Sequence, residues 1–88
     1  MAEAPRFDWD EANLGHIARH GVTPEEVEQA YANNPVKFGA RMRSGEERVL
    51  AADRTDAGRP IQFVYTIRRS RIRVVTAHTA HKKVRDKL

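Results

Sequence analysis

The chain has 88 residues, of which 40% are hydrophobic and 32% charged, and it has no cysteine. We therefore expect one soluble domain, residues 1–88, and exclude a disulfide framework, thiol chemistry and a membrane span. Since no secretory signal opens the chain, we expect a cytoplasmic protein. Residues 45–88 hold eleven Lys/Arg against five Asp/Glu, whereas residues 1–44 hold five against seven, so an anionic partner is expected at the second half.

Two helices are predicted at the N-terminal side of the chain. The first begins at a capping box formed by Asp8 and Glu11 and ends just before Gly21. The second has Thr23 as its cap with Glu26 three residues later, and it ends at Asn33-Asn34-Pro35 because proline disfavours helical geometry in the residue before it. The buried stripe of the first helix is predicted to consist of Leu14, Ile17 and Ala18.

From Val36 onwards the hydrophobic period changes to two, which predicts β-strands. The first strand is expected to bury one face, made of Val36, Phe38, Ala40 and Met42. Three more strands are predicted at residues 47–54, 61–68 and 71–79, followed by a short basic helix at residues 80–88. The predicted fold class is α+β, with two N-terminal helices packed on a four-stranded antiparallel sheet and a short C-terminal helix.

A tight turn at Arg69-Ser70 would pair the third and fourth strands so that Ile61 lies opposite His78 on an apolar face. The other face would then carry three arginines near the turn, Arg68, Arg71 and Arg73. Opposed like charges destabilise a sheet, so this clustering favours an anion held between guanidinium groups; a solvated tip that discourages aggregation is the alternative. A longer loop is another possibility, since neither Arg69 nor Ser70 favours positive φ. A shift of the strand pairing by one residue would exchange the residues on the two faces of the hairpin.

Cleavage of RNA by its own 2′-hydroxyl needs a proton acceptor, a proton donor and a cation at the scissile phosphate. The basic half of the chain holds side chains of these kinds: Glu47, Arg48, Arg54, Arg73, His78 and His81. His78 is the most informative, because a histidine at the sheet margin near the last helix could transfer protons. The alternative is a structural histidine that is hydrogen-bonded there.

His16 and His20 have the i, i+4 spacing of metal ligands on a helix. No His-Glu-x-x-His motif, cysteine or third ligand accompanies them, so an exposed pair without metal is expected. Trp9 could stack a base, but beside a helix start it is expected to be a core anchor. No cofactor is predicted.

Six segments of the chain resemble the BrnT-like toxins, and the resemblance covers essentially residues 7–88. They are Phe7-Asp-Trp-Asp-Glu-Ala-Asn13, Arg19-His-Gly-Val22, Thr23-Pro-Glu-Glu26, Glu47-Arg-Val-Leu-Ala-Ala-Asp-Arg54, Val64-Tyr-Thr66 and Arg71-Ile-Arg-Val-Val-Thr-Ala-His78. The resemblance implies a RelE-like fold and a type II toxin–antitoxin toxin that cleaves RNA without a metal and blocks translation. Its partner would be a BrnA-like ribbon-helix-helix antitoxin, which neutralises the toxin and through which the complex binds operator DNA.

The resemblance also carries roles to matching positions. Arg19 stands at the basic helix junction of the family, Glu47 and Arg48 at a strand start, Arg54 at the end of that strand, and Arg73 in the closing strand. These positions are expected to contact RNA or to take part in its cleavage.

Three positions depart from the family pattern. His78 stands where the family usually has arginine, and Val84 stands where the final helix usually has glutamate. Leu88 ends the chain where a tyrosine and acidic residues often follow. The change at His78 could substitute a proton-transferring group for a fixed cation, or it could weaken catalysis.

The sequence thus predicts a metal-independent endoribonuclease toxin that inhibits growth. The predicted catalytic residues are Arg54, Arg73, His78 and Glu47. The predicted RNA-binding residues are Arg19, Arg48, Arg68, Arg71, Lys82, Lys83 and Arg85. The alternative is a non-catalytic module, derived from such a toxin, that binds nucleic acid or a partner protein.

Overall fold

The computed structural model describes residues 5–88 of the chain. Its helices and strands are α1 (Glu11–Arg19), α2 (Pro24–Ala32), β1 (Val36–Arg43), β2 (Glu46–Arg54), β3 (Pro60–Arg68), β4 (Arg71–Thr79) and α3 (Lys82–Arg85). The four strands form one antiparallel sheet with the spatial order β1-β2-β3-β4. This confirms the predicted α+β architecture. The expectation about a secretory signal rests partly on residues 1–4, which lie outside the described residues.

Helix α1 begins later in the chain than predicted. Asp10, not Asp8, is the N-cap: its carboxylate accepts from the backbone N–H of Asn13 at 3.1 Å. The Asn13 side chain in turn accepts from the Asp10 N–H at 2.8 Å. The predicted box of Asp8 and Glu11 is therefore wrong, because an amide at the third helical position takes the role expected of a glutamate.

The buried stripe of α1 is narrower than predicted. Ile17 is fully buried, whereas Leu14 and Ala18 are exposed, because α1 packs chiefly against the edge strand β4. Gly21 follows the helix with φ of 70°, in the left-handed conformation predicted for it.

Helix α2 forms as the sequence predicts. Thr23 accepts from the Glu26 N–H at 3.2 Å, and the Glu26 carboxylate accepts from the Thr23 N–H at 3.0 Å. Arg59 then ties this capping box to the sheet, since it donates to Glu26 at 2.9 Å and to the Thr79 hydroxyl at 2.9 Å. The helix start is thereby fixed against the end of β4.

The hydrophobic core lies between the helices and one face of the sheet. It comprises Ile17, Val22, Val27, Ala30, Ala51, Ile61, Phe63, Tyr65, Ile72, Val74 and Ala77, all buried. Trp9 packs against this cluster, stacks on Phe7 at 6.0 Å and donates to Glu28 at 2.8 Å, which confirms it as a core anchor. No helix within residues 5–88 has the length and apolar character required to cross a bilayer.

Strand β1 does not bury the face predicted for it. All eight of its residues are exposed, and Met42 retains 68% of its surface. The reason is the width of the helical layer: α1 packs on β4, while α2 packs on β2 and β3. Two short helices do not extend over a fourth strand.

The β3–β4 hairpin has the tight turn that the sequence predicts. Arg69 and Ser70 form the turn with φ of 53° and 63°, so Arg68 pairs directly with Arg71. Positive φ at both central residues is the requirement of the type I′ turn, which matches the twist of paired strands. Holding two residues with side chains in this region costs about 1–2 kcal/mol each.

The predicted pairing of Ile61 with His78 is wrong. The register shifts between Val64 and Tyr65, so His78 pairs with Gln62 and Ile61 pairs with Thr79. One extra residue in β4 forms a β-bulge, and every later side chain of that strand changes face relative to the simple register. His78 therefore lies on the sheet face opposite the core.

Helix α3 is shorter than the predicted helix at residues 80–88. It spans Lys82–Arg85, and the preceding backbone is held by Gln62, whose side chain accepts from the His81 N–H at 2.9 Å. Val84 and Leu88 are the half-buried residues of this segment.

Candidate nucleic-acid interface

Three arginines from neighbouring strands surround one open cavity on the sheet face away from the core. Arg48 of β2, Arg68 of β3 and Arg73 of β4 line this cavity of about 370 Å³. They converge because the strands are adjacent and side chains alternate between the two faces. Helix α1 closes one side with Asn13 and His16. We call this site the arginine cavity; among residues 5–88, no carboxylate lines it.

Arg73 is held by carboxylates from the N-terminal segment. Its Nη1 lies 2.9 Å from Asp10 and 3.5 Å from Asp8. The segment reaches this place because the N–H of Asp8 donates to the Ile72 carbonyl at 2.8 Å, alongside β4. The hydrogen bond from Arg73, together with that from the Asn13 backbone, lowers the pKa of the Asp10 carboxyl.

Arg68 is held in a different way, by a carboxylate of the sheet itself. Its Nε and Nη2 donate to the two oxygens of Glu46 at 2.9 and 2.8 Å. This bidentate bond lowers the pKa of the Glu46 carboxyl. The repulsion between Arg68 and Arg71 is thus offset within the chain, so the argument that it requires an external anion does not hold.

Arg48 differs from the other two arginines of the cavity. None of the ion pairs found in residues 5–88 includes it, and its buried Nε has no hydrogen-bond partner among those residues. A buried donor without a partner costs about 1–3 kcal/mol. Arg48 also lines an adjoining groove of about 690 Å³, with Arg41 opposite it on β1. The charge of Arg48 is thus not neutralised by a carboxylate of the described residues.

All four histidines of the chain lie in one row that starts at the arginine cavity. The separations of neighbouring ring centres are 5.3 Å from His16 to His20, 5.9 Å from His20 to His78 and 4.9 Å from His78 to His81. We call these residues the histidine row. The expectation of an exposed pair holds for His20 but not for His16, which is half-buried and lies 3.0 Å from the Thr76 hydroxyl.

His16 is the cavity residue that sequence reasoning did not assign to RNA. Its i, i+4 spacing with His20 placed both rings on one helix face, but the sequence did not indicate that this face meets β4. The ring of His78 lies with Nδ1 2.8 Å from the Thr79 carbonyl. Because a carbonyl only accepts, Nδ1 carries the proton there and leaves Nε2 free as an acceptor in the neutral ring.

The structure does not bring the four predicted catalytic residues together. Glu47 pairs with Met42 and alternates with Arg48, so it lies on the opposite face of β2. Arg54 pairs with Pro60, whereas Arg73 pairs with Thr66, a separation of roughly 20 Å along β3. Arg54 instead donates to the carbonyl of Gly58 at 3.1 Å, within its own loop.

The other predicted RNA-binding residues are exposed and do not line the arginine cavity. They are Arg19 at the end of α1, Arg71 at the hairpin turn, and Lys82, Lys83 and Arg85 in α3. Lys82 is paired with Asp86 at 2.7 Å. Across residues 5–88, no three or more histidines or acidic residues are grouped so that they could hold a metal ion.

Comparison with known proteins identifies the family of the chain. No curated protein matches the chain. A family model does match it over residues 9–83, and that model describes the ribonuclease toxin, BrnT, of type II toxin–antitoxin systems. The matched range extends from Trp9 through the arginine cavity to α3. The chain belongs to the BrnT family of ribonuclease toxins, which implies RNA as its substrate and an antitoxin as its partner.

Proposed function

We propose that this toxin is a metal-independent endoribonuclease whose scissile phosphate binds in the arginine cavity. The observation that supports the proposal is the convergence of Arg48, Arg68 and Arg73 around one space that His16 also lines. Fixed guanidinium groups stabilise the charge that develops on a phosphate under attack, and they do so without a metal ion.

In this proposal the 2′-hydroxyl of the preceding nucleotide attacks the phosphorus atom. The proton of that hydroxyl passes to the imidazole of His16, which exchanges its contact with Thr76 for the substrate. Arg48 and Arg73 donate to the phosphate oxygens. The bond to the 5′-oxygen breaks, and a 2′,3′-cyclic phosphate remains on the upstream fragment. Water in the open cavity protonates the 5′-oxygen, and the hydroxide so formed takes the proton from His16, which returns to its neutral form.

A cleavage assay with purified protein and labelled RNA in excess EDTA tests this mechanism. We expect fragments that end in a 2′,3′-cyclic phosphate and no cleavage where the attacking hydroxyl is replaced by hydrogen. Arg48→Gln should lower the cleavage rate by about 100-fold, as loss of one preorganised charge-stabilising donor does. Cleavage that depends on added Mg²⁺, or full activity of Arg48→Gln, would contradict the proposal.

Lys87→Gln is the matched control, because it removes an exposed cation that lines neither cavity. Its rate should equal that of the unmodified protein. The same assay tests the catalytic roles predicted for Arg54, His78 and Glu47. None of the three lines the arginine cavity, so the proposal expects single alanine variants of Arg54 and Glu47 to retain most of the activity.

We also propose that the antitoxin is a ribbon-helix-helix protein and that the complex binds operator DNA through it. The resemblance of the six sequence segments to BrnT-like toxins supports this partner. A short neighbouring reading frame with a ribbon-helix-helix pattern should yield a protein that co-purifies with the toxin and suppresses RNA cleavage. A neutralising partner with another DNA-binding fold would contradict the proposal.

A non-catalytic binding module is the second candidate. It is favoured by the carboxylates that already occupy Arg68 and Arg73, since these pairs leave Arg48 as the cavity arginine without an ionic partner among residues 5–88. For such a module, RNA binding would weaken steeply with salt while the RNA stayed intact. Expression would then leave cell growth unchanged.

A further inference from the structure

The histidine row connects the arginine cavity with the basic C-terminal segment. His16 lines the cavity, and His81 directly precedes the first residue of α3, Lys82. Between them, His20 follows the end of α1 and His78 lies on β4, so the row crosses from a helix to the sheet. The β-bulge in β4 makes this possible, because it turns His78 to the face away from the core.

We infer that the histidine row is a binding track for single-stranded RNA, along which the strand leaves the arginine cavity in contact with the imidazole N–H groups. This inference rests on the proposed binding of RNA in the cavity. The steps between ring centres, 4.9 to 5.9 Å, are close to the separation of successive phosphates along an RNA strand. One imidazole can therefore meet each phosphate.

The ring orientations favour phosphate contacts over base stacking. Neighbouring rings are inclined by 55° to 60°, so they do not form the parallel platform on which bases stack. Their N–H edges are available instead. His20 and His81 are exposed, and the side chain of His81 makes no capping bond to α3.

The surroundings of the row contain cations, neutral groups and carboxylates that are already paired. Arg19 precedes His20 in the chain, and Thr76 and Gln62 are the neutral neighbours on the sheet. Lys82 follows His81 and is paired with Asp86 at 2.7 Å. The carboxylate of Glu26 is occupied by Arg59, which also reaches Thr79 at the end of β4. No ion pair among residues 5–88 includes a histidine.

The imidazoles of the row therefore have no carboxylate partner among the described residues. A phosphate beside an imidazole favours its charged form, so RNA binding and proton uptake favour each other. Imidazole side chains change charge between about pH 8 and pH 5. RNA affinity should accordingly rise as the pH falls through this range.

The test measures the binding of a fluorescent 2′-O-methyl oligonucleotide, which lacks the attacking hydroxyl and is not cleaved. Affinity is measured in EDTA at about pH 8 and about pH 5.5, the two sides of imidazole titration, over a series of salt concentrations. We expect affinity to rise by about tenfold at the lower pH. The slope of log K against log salt should steepen by about 0.7 for each further phosphate that a protonated imidazole neutralises.

The double variant His20→Gln, His81→Gln should lose most of the rise in affinity between about pH 8 and about pH 5.5. Lys87→Gln should show the full rise. The single variant His20→Gln, expected to lose part of the rise, serves if the double variant has an altered unfolding midpoint. A full rise in both histidine variants, or no rise in the unmodified protein, would overturn the inference.

The two proposals fail in different ways. If the oligonucleotide binds with the expected pH dependence but unmodified RNA is never cut, the proposed mechanism fails and the binding track stands. If RNA is cut normally but the histidine variants bind with an unchanged pH dependence, the track alone fails.

Discussion

At the scale of single residues, the three cavity arginines differ in what holds them. Arg68 and Arg73 are oriented by carboxylates of the chain, whereas the Nε of Arg48 is buried with no hydrogen-bond partner in the described residues. An arginine that a carboxylate holds in place is suited to position a substrate. An arginine without such a partner is suited to bind an anionic ligand. Arg48 should therefore be the most sensitive of the three to a change of chemistry at constant charge.

We predict that Arg48→Lys lowers RNA cleavage by at least about tenfold although the charge is kept, because an ammonium lacks the planar fork of donors. The measurement is kcat/KM on a short RNA. The parallel exchange Arg85→Lys, on exposed α3, should leave kcat/KM unchanged. Equal effects of the two exchanges would show that only net charge matters.

The carboxylates that hold these arginines predict an acid limit to stability. Arg68 and Arg73 lower the pKa of Glu46 and Asp10 below their ordinary values of 4.5 and 3.8. A carboxyl with a lowered pKa in the folded state contributes stability that is complete above its ordinary pKa and is lost as the pH falls through the lowered value. The urea midpoint should thus fall as the pH drops below 4.5.

The double variant Glu46→Gln, Asp10→Asn should be less stable at neutral pH and should lose less stability on acidification. Part of the acid dependence should remain, because Glu26 also has a lowered pKa. Burial raises the pKa of Glu26, but hydrogen bonds from the Thr23 backbone and from Arg59 lower it. Asp86→Asn, which removes only an exposed pair with Lys82, is the control. An acid dependence in the double variant equal to that of the unmodified chain would exclude the two pairs as its source.

At the scale of elements, the capping box of α2 is a local unit whose contribution can be measured. We expect Thr23→Ala to lower the free energy of unfolding by about 1 kcal/mol, because an orphan N–H at the helix start loses its acceptor. Thr23→Ser should restore most of the loss, since serine caps equally well. Urea unfolding measures the stability of both variants. An equal loss of stability in the serine variant would show that the methyl group of Thr23, and not its hydroxyl, provides the stabilisation.

Strand β3 offers a matched pair of isoleucines with opposite environments. Ile61 is fully buried, whereas Ile67 keeps 57% of its surface. We expect Ile61→Ala to cost about 2–5 kcal/mol through lost burial and a residual cavity, and Ile67→Ala to cost about 0.5 kcal/mol or less. Similar costs in urea unfolding would mean that the tip of the hairpin is covered in solution.

These elements show which parts of the structure the sequence could predict. The start of α2 depends on neighbouring residues, so the prediction at Thr23 is confirmed. The tight turn at Arg69-Ser70 also forms, but because neither residue favours positive φ the sequence alone also allows a longer loop. The exposure of β1 depends on how far two helices extend across a sheet, which its alternating residues do not reveal. The bulge in β4 has no glycine or proline to mark it, so the predicted face of His78 is wrong.

The candidate site was predictable only in part for the same reason. Arg48, Arg68 and Arg73 are identifiable from the sequence, and strand alternation with adjacency brings them together. The approach of His16 depends on the packing of α1 against β4, a long-range contact. The grouping of Glu47 and Arg54 with Arg73 rests on residue type and on the family resemblance, and neither gives a distance across the sheet.

At the scale of the whole molecule, the acidic and basic parts of the chain are not separate surfaces. Asp8 and Asp10 from the acidic first half lie against Arg73 in the basic second half. The positive charge that remains for a ligand is therefore smaller than the composition suggests, and it is concentrated at the arginine cavity and the histidine row.

This distribution predicts a moderate dependence of RNA binding on salt. If each of the three cavity arginines contacts one phosphate, log K should fall with log salt with a slope of about −2 for single-stranded RNA near pH 8. Arg48→Gln should make the slope less negative by about 0.7, and Lys87→Gln should not change it. A slope unaffected by Arg48→Gln would place the bound strand elsewhere.

The change of register between Val64 and Tyr65 leaves Val75 of β4 without a partner on β3, since Tyr65 pairs with Val74 and Val64 with Thr76. Deleting Val75 would therefore remove the bulge and still keep Ala77 opposite Phe63 and His78 opposite Gln62. At this position the length of the chain can change while the later side chains stay on the same face of the sheet, so the fold can lose a strand bend without rebuilding its surface.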